Sequence, residues 1–279
     1  MNHLVAICNV AECKDFTLKK NDEFIPNYVS AEGKPLEVFV RALFCGIPGK
    51  KESFVRPEKV FSYMGSSNNP PDAMIISGGD AIETKKVETQ KTDIVLNSSL
   101  PKTMIFASDR MVNSKARACE QWESRDLLYV VGHVPKNERR VKSLFFFYGD
   151  CYAKKNEYYK EKFNEIKARV TSTGEISPDG NEYGTLKNVD GLGNGVYMRV
   201  RPINGMYSPW KIFKKYVDLG ENSQFLMVSV MRKSKYESFP AKDRERLEKS
   251  QVEKKEIKIV DPDNPDKKVN AVLIKYQIS

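Results

Sequence analysis

The sequence predicts an α+β fold, a sandwich-like arrangement of helices on a mixed central sheet. Three observations carry it. Residues 35–44 place Leu36, Phe39, Val40, Leu43 and Phe44 at the i, i+3, i+4, i+7, i+8 spacing of a helix burying one face. Residues 126–134 (DLLYVVGHV) form a near-continuous apolar run, the pattern of a central strand. Between them lies Ser77-Gly78-Gly79-Asp80, a hairpin turn in which glycines accept positive φ.

The remaining elements follow in order. Pro35 suits the first position of its helix. A short strand is expected at 59–64, a buried strand at 73–77 and its return strand at 81–87. Asn113 caps a helix expected to run to about 124, with Ala116, Cys119 and Trp122 on one face. A strand at 144–148 precedes a helix at 154–170, with Tyr159, Phe163, Ile166 and Val170 on its buried face. Residues 172–195, rich in Gly, Asn, Asp and Thr, read as an irregular excursion. A strand at 195–200 follows, then a helix opened by Ser208-Pro209. A strand at 224–231, a basic helical stretch at 242–249 and a hairpin around the 261–266 loop complete the chain. One domain, 1–279, is expected, with a catalytic core at about 30–135 and recognition and dimerisation elements at about 136–279.

Composition narrows the function classes. The 279 residues hold 46 Lys+Arg against 37 Asp+Glu, a net charge of +9. Such a surplus favours a polyanionic partner, and nucleic acid is the commonest. A hydrophobic content of 40% supports a core and argues against disorder. No apolar run reaches the roughly 18 residues of a transmembrane helix, and the N-terminus lacks the basic region of a secretory signal. The five cysteines are scattered without a CxxC, and there are two histidines. This argues against a zinc cluster, and free thiols point to a reducing, cytoplasmic location. Cys119 and Cys151 read as small buried hydrophobes.

The chemistry concentrates in Pro71-Asp72 followed, ten residues on, by Glu83-Thr84-Lys85. The hairpin returns Asp72 to the neighbourhood of Glu83 and Lys85. These two are two residues apart, so they share one face of the strand, while Thr84 points the other way. Two carboxylates and an ammonium therefore converge. Two carboxylates are a usual protein contribution to Mg²⁺ binding, the rest coming from water and phosphate oxygens. The metal can make a water more acidic, and the lysine can orient that water and offset transition-state charge. The constellation suits phosphodiester hydrolysis.

The Asp72/Glu83/Lys85 pattern resembles the PD-(D/E)XK nuclease signature, and the surrounding element order is similar to that superfamily's αβββαβ core. The longer string is more specific. It comprises Phe61-Ser62-Tyr63-Met64-Gly65, Asn69-Pro70-Pro71-Asp72-Ala73-Met74, Gly79-Asp80-Ala81-Ile82-Glu83, Lys85-Lys86, Leu96-Asn97-Ser98-Ser99 and Pro101-Lys102. It resembles the NgoPII-like type II restriction endonucleases, whose archetype cuts GGCC. The likeness is strong over about 35–135; beyond it, only Arg199-Val200-Arg201 and the helix at Pro209 are similar. The resemblance implies a Mg²⁺-dependent endonuclease acting on double-stranded DNA as a homodimer, each subunit cutting one strand of a palindrome. Asp72 and Glu83 would be metal ligands, with the Thr84 carbonyl as a third and Lys85 as the catalytic lysine. Glu37 occupies the helix where many superfamily members place an extra acidic residue. A methyltransferase of the same specificity, encoded separately and needing no contact with this chain, is also implied.

DNA contacts are expected from Asn97, Ser98, Ser99 and Lys102, which directly follow the hairpin, with Lys102 as a phosphate contact. Arg199 and Arg201 alternate along a strand and face one side. Arginine is the commonest specific partner of guanine. Plainer readings stand beside these. Glu83 and Lys85 alone could be a charge pair on a solvated strand, and Glu37 an exposed helix residue. Lys86 reads as a surface or DNA-facing charge, His133 as a core histidine and His3 as uninformative. Residues 144–148 read as sheet core, 242–258 as a salt-bridged solvated face, and Trp210 as core or dimer contact. Two other functions use the same fold: a catalytically silent DNA-binding protein, and a structure-specific DNA repair nuclease.

Overall fold

The computed structural model describes residues 1–19, 34–65, 70–97, 99–109, 111–172, 174–179, 182–187, 196–219 and 223–279. Two helices, α1 (His3–Glu12) and α2 (Pro35–Cys45), precede the sheet. Eight strands then lie side by side in the order β1 (Phe61–Met64), β2 (Ala73–Ile75), β3 (Ala81–Val87), β6 (Ser124–His133), β7 (Ser143–Tyr148), β12 (Phe225–Arg232), β14 (Lys268–Ile278) and β13 (Glu253–Val260). β3–β6 and β7–β12 are parallel and the other neighbours antiparallel, so the sheet is mixed as expected. α2, the β1–β2–β3 meander, a short helix and β6 follow the predicted order.

Parallel neighbours require long crossovers, and these carry the rest of the chain. The first holds β4 (Ile94–Asn97), β5 (Met104–Phe106), which pairs with the start of β6, and α3 (Ser114–Ala118). The second holds α4 (Asn156–Thr171), a three-stranded sheet of β8 (Ile176–Asp179), β9 (Glu182–Lys187) and β10 (Tyr197–Val200), then β11 (Asn204–Met206) and α5 (Pro209–Phe213). β11 pairs with β4, so the two crossovers meet in a two-stranded ribbon. Helices α6 (Lys233–Ser238) and α7 (Ala241–Glu248) lead to the final hairpin. Among the described residues no helix is long and apolar enough to cross a membrane.

Helices α1 and α2 cover one face of the sheet, where Leu4, Ile7, Phe39 and Leu43 join Ile82, Val130 and Phe146. On the other face Trp210 and Phe213 join Tyr129, Phe145 and Phe147. Double coverage is why β6 and β7 read as unbroken apolar runs, and it settles Trp210 as core.

Several expectations are corrected. α1 was not foreseen: it is buried almost all round, so it shows no polar and apolar stripes by which to recognise it. The helix after Asn113 is capped as expected, the Asn113 side chain accepting from Lys115 N at 2.8 Å, but it ends at Ala118, before β6 begins at Ser124. α4 forms where expected, yet its stripe is only half covered. Phe163 stacks on Tyr183 at 5.2 Å between ring centroids, while Ile166 is 42% exposed. The supposed irregular excursion contains β8 and β9. In the hairpin, positive φ falls on Ser77 (58°) and Gly78 (76°). Gly79 is needed for space instead, since a Cβ there would lie 2.7 Å from that of Ile75.

His3 is not uninformative. It is fully buried against Phe146 and Tyr148, with Nε2 3.3 Å from Ser229 Oγ. Burial, aided by the charge of Lys235, lowers its pKa from 6.5 to about 3. The unfolded chain therefore takes up the proton first. The stability His3 contributes is complete above pH 6.5 and is lost as pH falls from there towards 3. The stability difference between the protein and a His3→Gln variant is expected to shift by about 3 kcal/mol against the parent between pH 7 and pH 4. Urea titrations at the two pH values measure it, and equal shifts in both proteins would contradict it.

Candidate active site

The β2–β3 hairpin is short. Its register pairs are Ala73↔Ile82 and Met74↔Ala81. Asp72 N donating to Ile82 O (2.9 Å) and Ile75 N to Asp80 O (3.0 Å) extend it at either end. The turn is braced from beneath. Arg125, its side chain buried, donates to Ile75 O (2.5 Å) and Gly79 O (2.6 Å) and pairs with Glu120. Glu120 in turn accepts from Ser77 N (3.1 Å) and from Ser62 Oγ of β1 (3.2 Å). Asp80, where β3 begins, accepts from Tyr148 Oη and Lys235 Nζ, both at 2.6 Å. Lys235 also donates to Asp126 at 2.6 Å.

At the open end the predicted constellation assembles. Asp72 Oδ2 accepts from Thr84 N at 2.6 Å. Lys85 Nζ lies 2.7 Å from Glu83 Oε1. Glu83 is 7% exposed, and its second carboxylate oxygen is buried with no hydrogen-bond partner among the described residues. The N–H and C=O of one strand residue project to the same side, so the Thr84 carbonyl faces the edge where β2 has ended. Glu37, in the first turn of α2, accepts from Lys34 N at 3.2 Å, and its charge acts on both Asp72 and Lys85.

Electrostatics reflect the crowding of like charge. Burial pushes the Asp72 carboxyl well above the usual carboxylate range, and Glu83 and then Glu37 push it further; the Thr84 N–H and Lys85 offset only part of this. Burial disfavours the Lys85 ammonium, but Glu83, Asp72 and Glu37 outweigh it and hold its pKa above the ordinary lysine value. Three carboxylates thus act against one ammonium. Among the described residues no group of three or more His, Cys, Asp or Glu side chains is gathered closely enough to cage a metal unaided. The pair Asp72 and Glu83 with the unpartnered Glu83 oxygen fits Mg²⁺, which accepts two carboxylates and keeps water or phosphate oxygens elsewhere.

The expected DNA-contact residues divide. Asn97 ends β4 opposite Asn204 of β11, only three residues beyond Arg201. The ribbon therefore brings the 97–99 segment near the Arg199–Arg201 segment. Ser99 is partly exposed; Ser98 and the Asn97 side chain lie outside the described residues. The Arg199 fork is directed at Glu182, with Nε and Nη2 2.8 and 2.5 Å from its two oxygens. Arg201 Nε lies 3.9 Å from the same carboxylate, so the two arginines do share a side. Lys102 is placed differently from a phosphate contact: it is 6% exposed and its ammonium is spent on the half-buried Asp109. Lys86 is exposed and His133 is half-buried, its ring edge-on to Trp210.

The sequence did not reveal the bracing residues. Arg41 is 4% exposed and donates to Gly65 O at 3.5 Å, while Gly65 N donates to Asp72 O at 2.8 Å. A charge one turn after Glu37 within an apolar helix was its available signal. Arg125 and Glu120 had none, because the backbone atoms they brace belong to a turn 40 or more residues away.

The family model described as NgoPII restriction endonuclease matches residues 1–263. The chain is 34% identical to the type II restriction enzyme NgoPII of Neisseria gonorrhoeae, over the full length of both. No solved structure matches it.

A Lys102→Met variant leaves Asp109, whose carboxyl Lys102 holds ionised against the cost of burial, without its cation. It is expected to lose about 3 kcal/mol of folding stability. The salt dependence of DNA binding is expected to stay unchanged, whereas loss of a phosphate contact would lower the log–log slope by about 1. Denaturant titration and binding isotherms at several salt concentrations measure the two effects.

Proposed function

The chain belongs to the NgoPII restriction endonuclease family, and from that premise we propose that it hydrolyses double-stranded DNA at a short palindrome, GGCC or a related G/C site, with Mg²⁺ as cofactor. The observation that carries this reading is the convergence of Asp72, Glu83 and Lys85 at the open end of one braced hairpin. It acts as a homodimer, one active site per DNA strand, and a separately encoded methyltransferase protects the host's own sites.

Asp72 and Glu83 would hold the metal, with the Thr84 carbonyl as the third protein oxygen. Bound there, Mg²⁺ supplies the positive charge that polarises a phosphoryl oxygen and makes a water more acidic. Asp72 is held for this by the Thr84 N–H, which fixes one carboxylate oxygen and leaves the other for the cation. The Lys85 ammonium, kept protonated by its acidic neighbours, orients the attacking water and offsets charge on the phosphoryl group. Water's oxygen forms the new bond to phosphorus and gives up a proton to solvent, while the bond to the departing sugar oxygen breaks and that oxygen takes a proton from solvent. Glu37 adds negative charge at the rim. Asn97, Ser98, Ser99, Arg199 and Arg201 supply DNA contacts from the ribbon and β10. Contact by the Arg199 fork requires it to exchange Glu182 for a base or phosphate.

Digestion of unmethylated phage DNA with Mg²⁺ is expected to give discrete fragments sharing one palindromic end, and none in EDTA. Asp72→Ala and Lys85→Ala are each expected to lower cleavage by at least about 10²-fold, and Asp72→Ala to leave the unfolding midpoint near that of the parent. A fully active Asp72→Ala protein would refute the assignment. Intact DNA with both Mg²⁺ and Mn²⁺ would favour a binding-only protein.

A further inference from the structure

A second pair of carboxylates meets at the other end of the strand that carries Glu83 and Lys85. Ala81 of β3 pairs with Leu127 of β6. Asp80 and Asp126 stand one residue before that pair, on parallel strands roughly 5 Å apart. Asp80 is buried. Lys235 of α6, 155 residues further on, serves both acids: its ammonium donates to Asp80 Oδ1 and to Asp126 Oδ2, each at 2.6 Å. The same ammonium lies over the Tyr148 and Phe239 rings, 4.9 and 5.6 Å from their centroids. Tyr148 Oη donates to the second Asp80 oxygen at 2.6 Å. One oxygen of Asp80 is therefore gripped by a cation and the other by a buried phenol. Burial pushes the Asp80 carboxyl up, and Lys235 and Tyr148 offset part of this. Burial also disfavours the Lys235 ammonium, but Asp80 and Asp126 outweigh it and hold its pKa above the ordinary lysine value.

We propose that Lys235 is a positioning residue of the candidate active site, acting through Asp80 to fix where β3 presents Glu83 and Lys85. The reason is mechanical. The β2–β3 ladder has two register pairs, Ala73↔Ile82 and Met74↔Ala81, a short span by which to locate a strand. Asp80 adjoins the second pair, and its carbonyl accepts from Ile75 N at 3.0 Å. Whatever fixes Asp80 therefore fixes the closed end of the hairpin. Glu83 follows three residues later, roughly 10 Å along an extended strand, with Ala81 and Ile82 buried between them. Without the ammonium, Asp80 and Asp126 would repel each other where β3 meets β6, and β3 would yield. A displacement of about 1 Å caused far from the chemistry is enough to lower a rate by about 10²-fold, and ligands of a divalent cation are as sensitive to the groups that orient them. The inference rests on the endonuclease reading, in which Asp72 and Glu83 share a metal.

Calorimetric titration of the full chain with Mn²⁺, without DNA and well below the unfolding midpoint of each variant, is the test. Lys235→Met is expected to bind Mn²⁺ about tenfold more weakly than the parent and to cleave DNA more slowly, with its affinity for DNA in EDTA unchanged. Lys235→Arg, whose guanidinium can still bridge two carboxylates, is expected to recover most of the Mn²⁺ affinity. Tyr148→Phe removes one oxygen from the grip on Asp80 and is expected to show a smaller loss in the same direction; it carries the test if Lys235→Met does not fold. A Lys235→Met protein of lowered midpoint but parental Mn²⁺ affinity makes the ion pair purely structural and overturns the proposal. So does a Lys235→Arg protein as weak as Lys235→Met, or a Tyr148→Phe protein that binds Mn²⁺ like the parent. Weakened DNA binding in EDTA overturns it in favour of a DNA-facing lysine. Because Mn²⁺ affinity is read without cleavage, a parent that binds Mn²⁺ but never cuts DNA refutes the endonuclease reading while the variants still decide the role of Lys235. A parent that binds no Mn²⁺ overturns the proposal.

Discussion

Two carboxylates, Asp72 and Glu83, are held together on one strand edge with a single ammonium beside them, and the molecule around them is organised to tolerate that repulsion. Left alone, neighbouring like charges would push a two-pair hairpin apart. The fold opposes this at both ends. Beneath the turn, Arg125 and Glu120 tie β2, β3 and β1 to the start of β6. At the open end, the Thr84 N–H grips Asp72 and Lys85 grips Glu83. Arg41 braces Gly65, which is itself bonded to Asp72. The remaining negative charge is what the proposed divalent cation would offset.

The sheet explains why so short a hairpin can be rigid. β3 is covered by α2 on one face and lies parallel to β6, which is buried along most of its length. The strand that carries Glu83 and Lys85 therefore lies inside the packed part of the sheet. The two parallel pairs oblige the chain to make two long crossovers, and these meet in the β4–β11 ribbon. Asn97 and Asn204, more than a hundred residues apart in sequence, become neighbours for this reason.

What the sequence disclosed and what it hid divide along physical lines. Elements with a strong local period were legible: α2 from its apolar stripe, β6 and β7 from their apolar runs, and the hairpin from its glycines. Asp72, Glu83 and Lys85 were legible because strand alternation and one tight turn determine their meeting. α1 was hidden because a helix buried all round has no stripe. β8 and β9 were hidden because Gly and Asn dominate their surroundings, while the contact that orders them, Tyr183 on Phe163, comes from another element. Lys102 misled because a lysine in a polar loop looks solvated until its half-buried partner Asp109 is seen. Arg125 was illegible because it binds backbone carbonyls, which leave no mark in sequence.

The central claim is that Asp72 and Glu83 repel each other in the absence of metal and are reconciled by a divalent cation. The unfolding midpoint of the parent and of Asp72→Asn, each measured in EDTA and in millimolar Mn²⁺, tests it most directly. The account expects Asp72→Asn to be the more stable protein in EDTA, since asparagine keeps the hydrogen bond from Thr84 and removes the charge. It expects Mn²⁺ to stabilise the parent and leave the variant unmoved. A variant that is less stable in EDTA yet responds to Mn²⁺ as the parent does would contradict it.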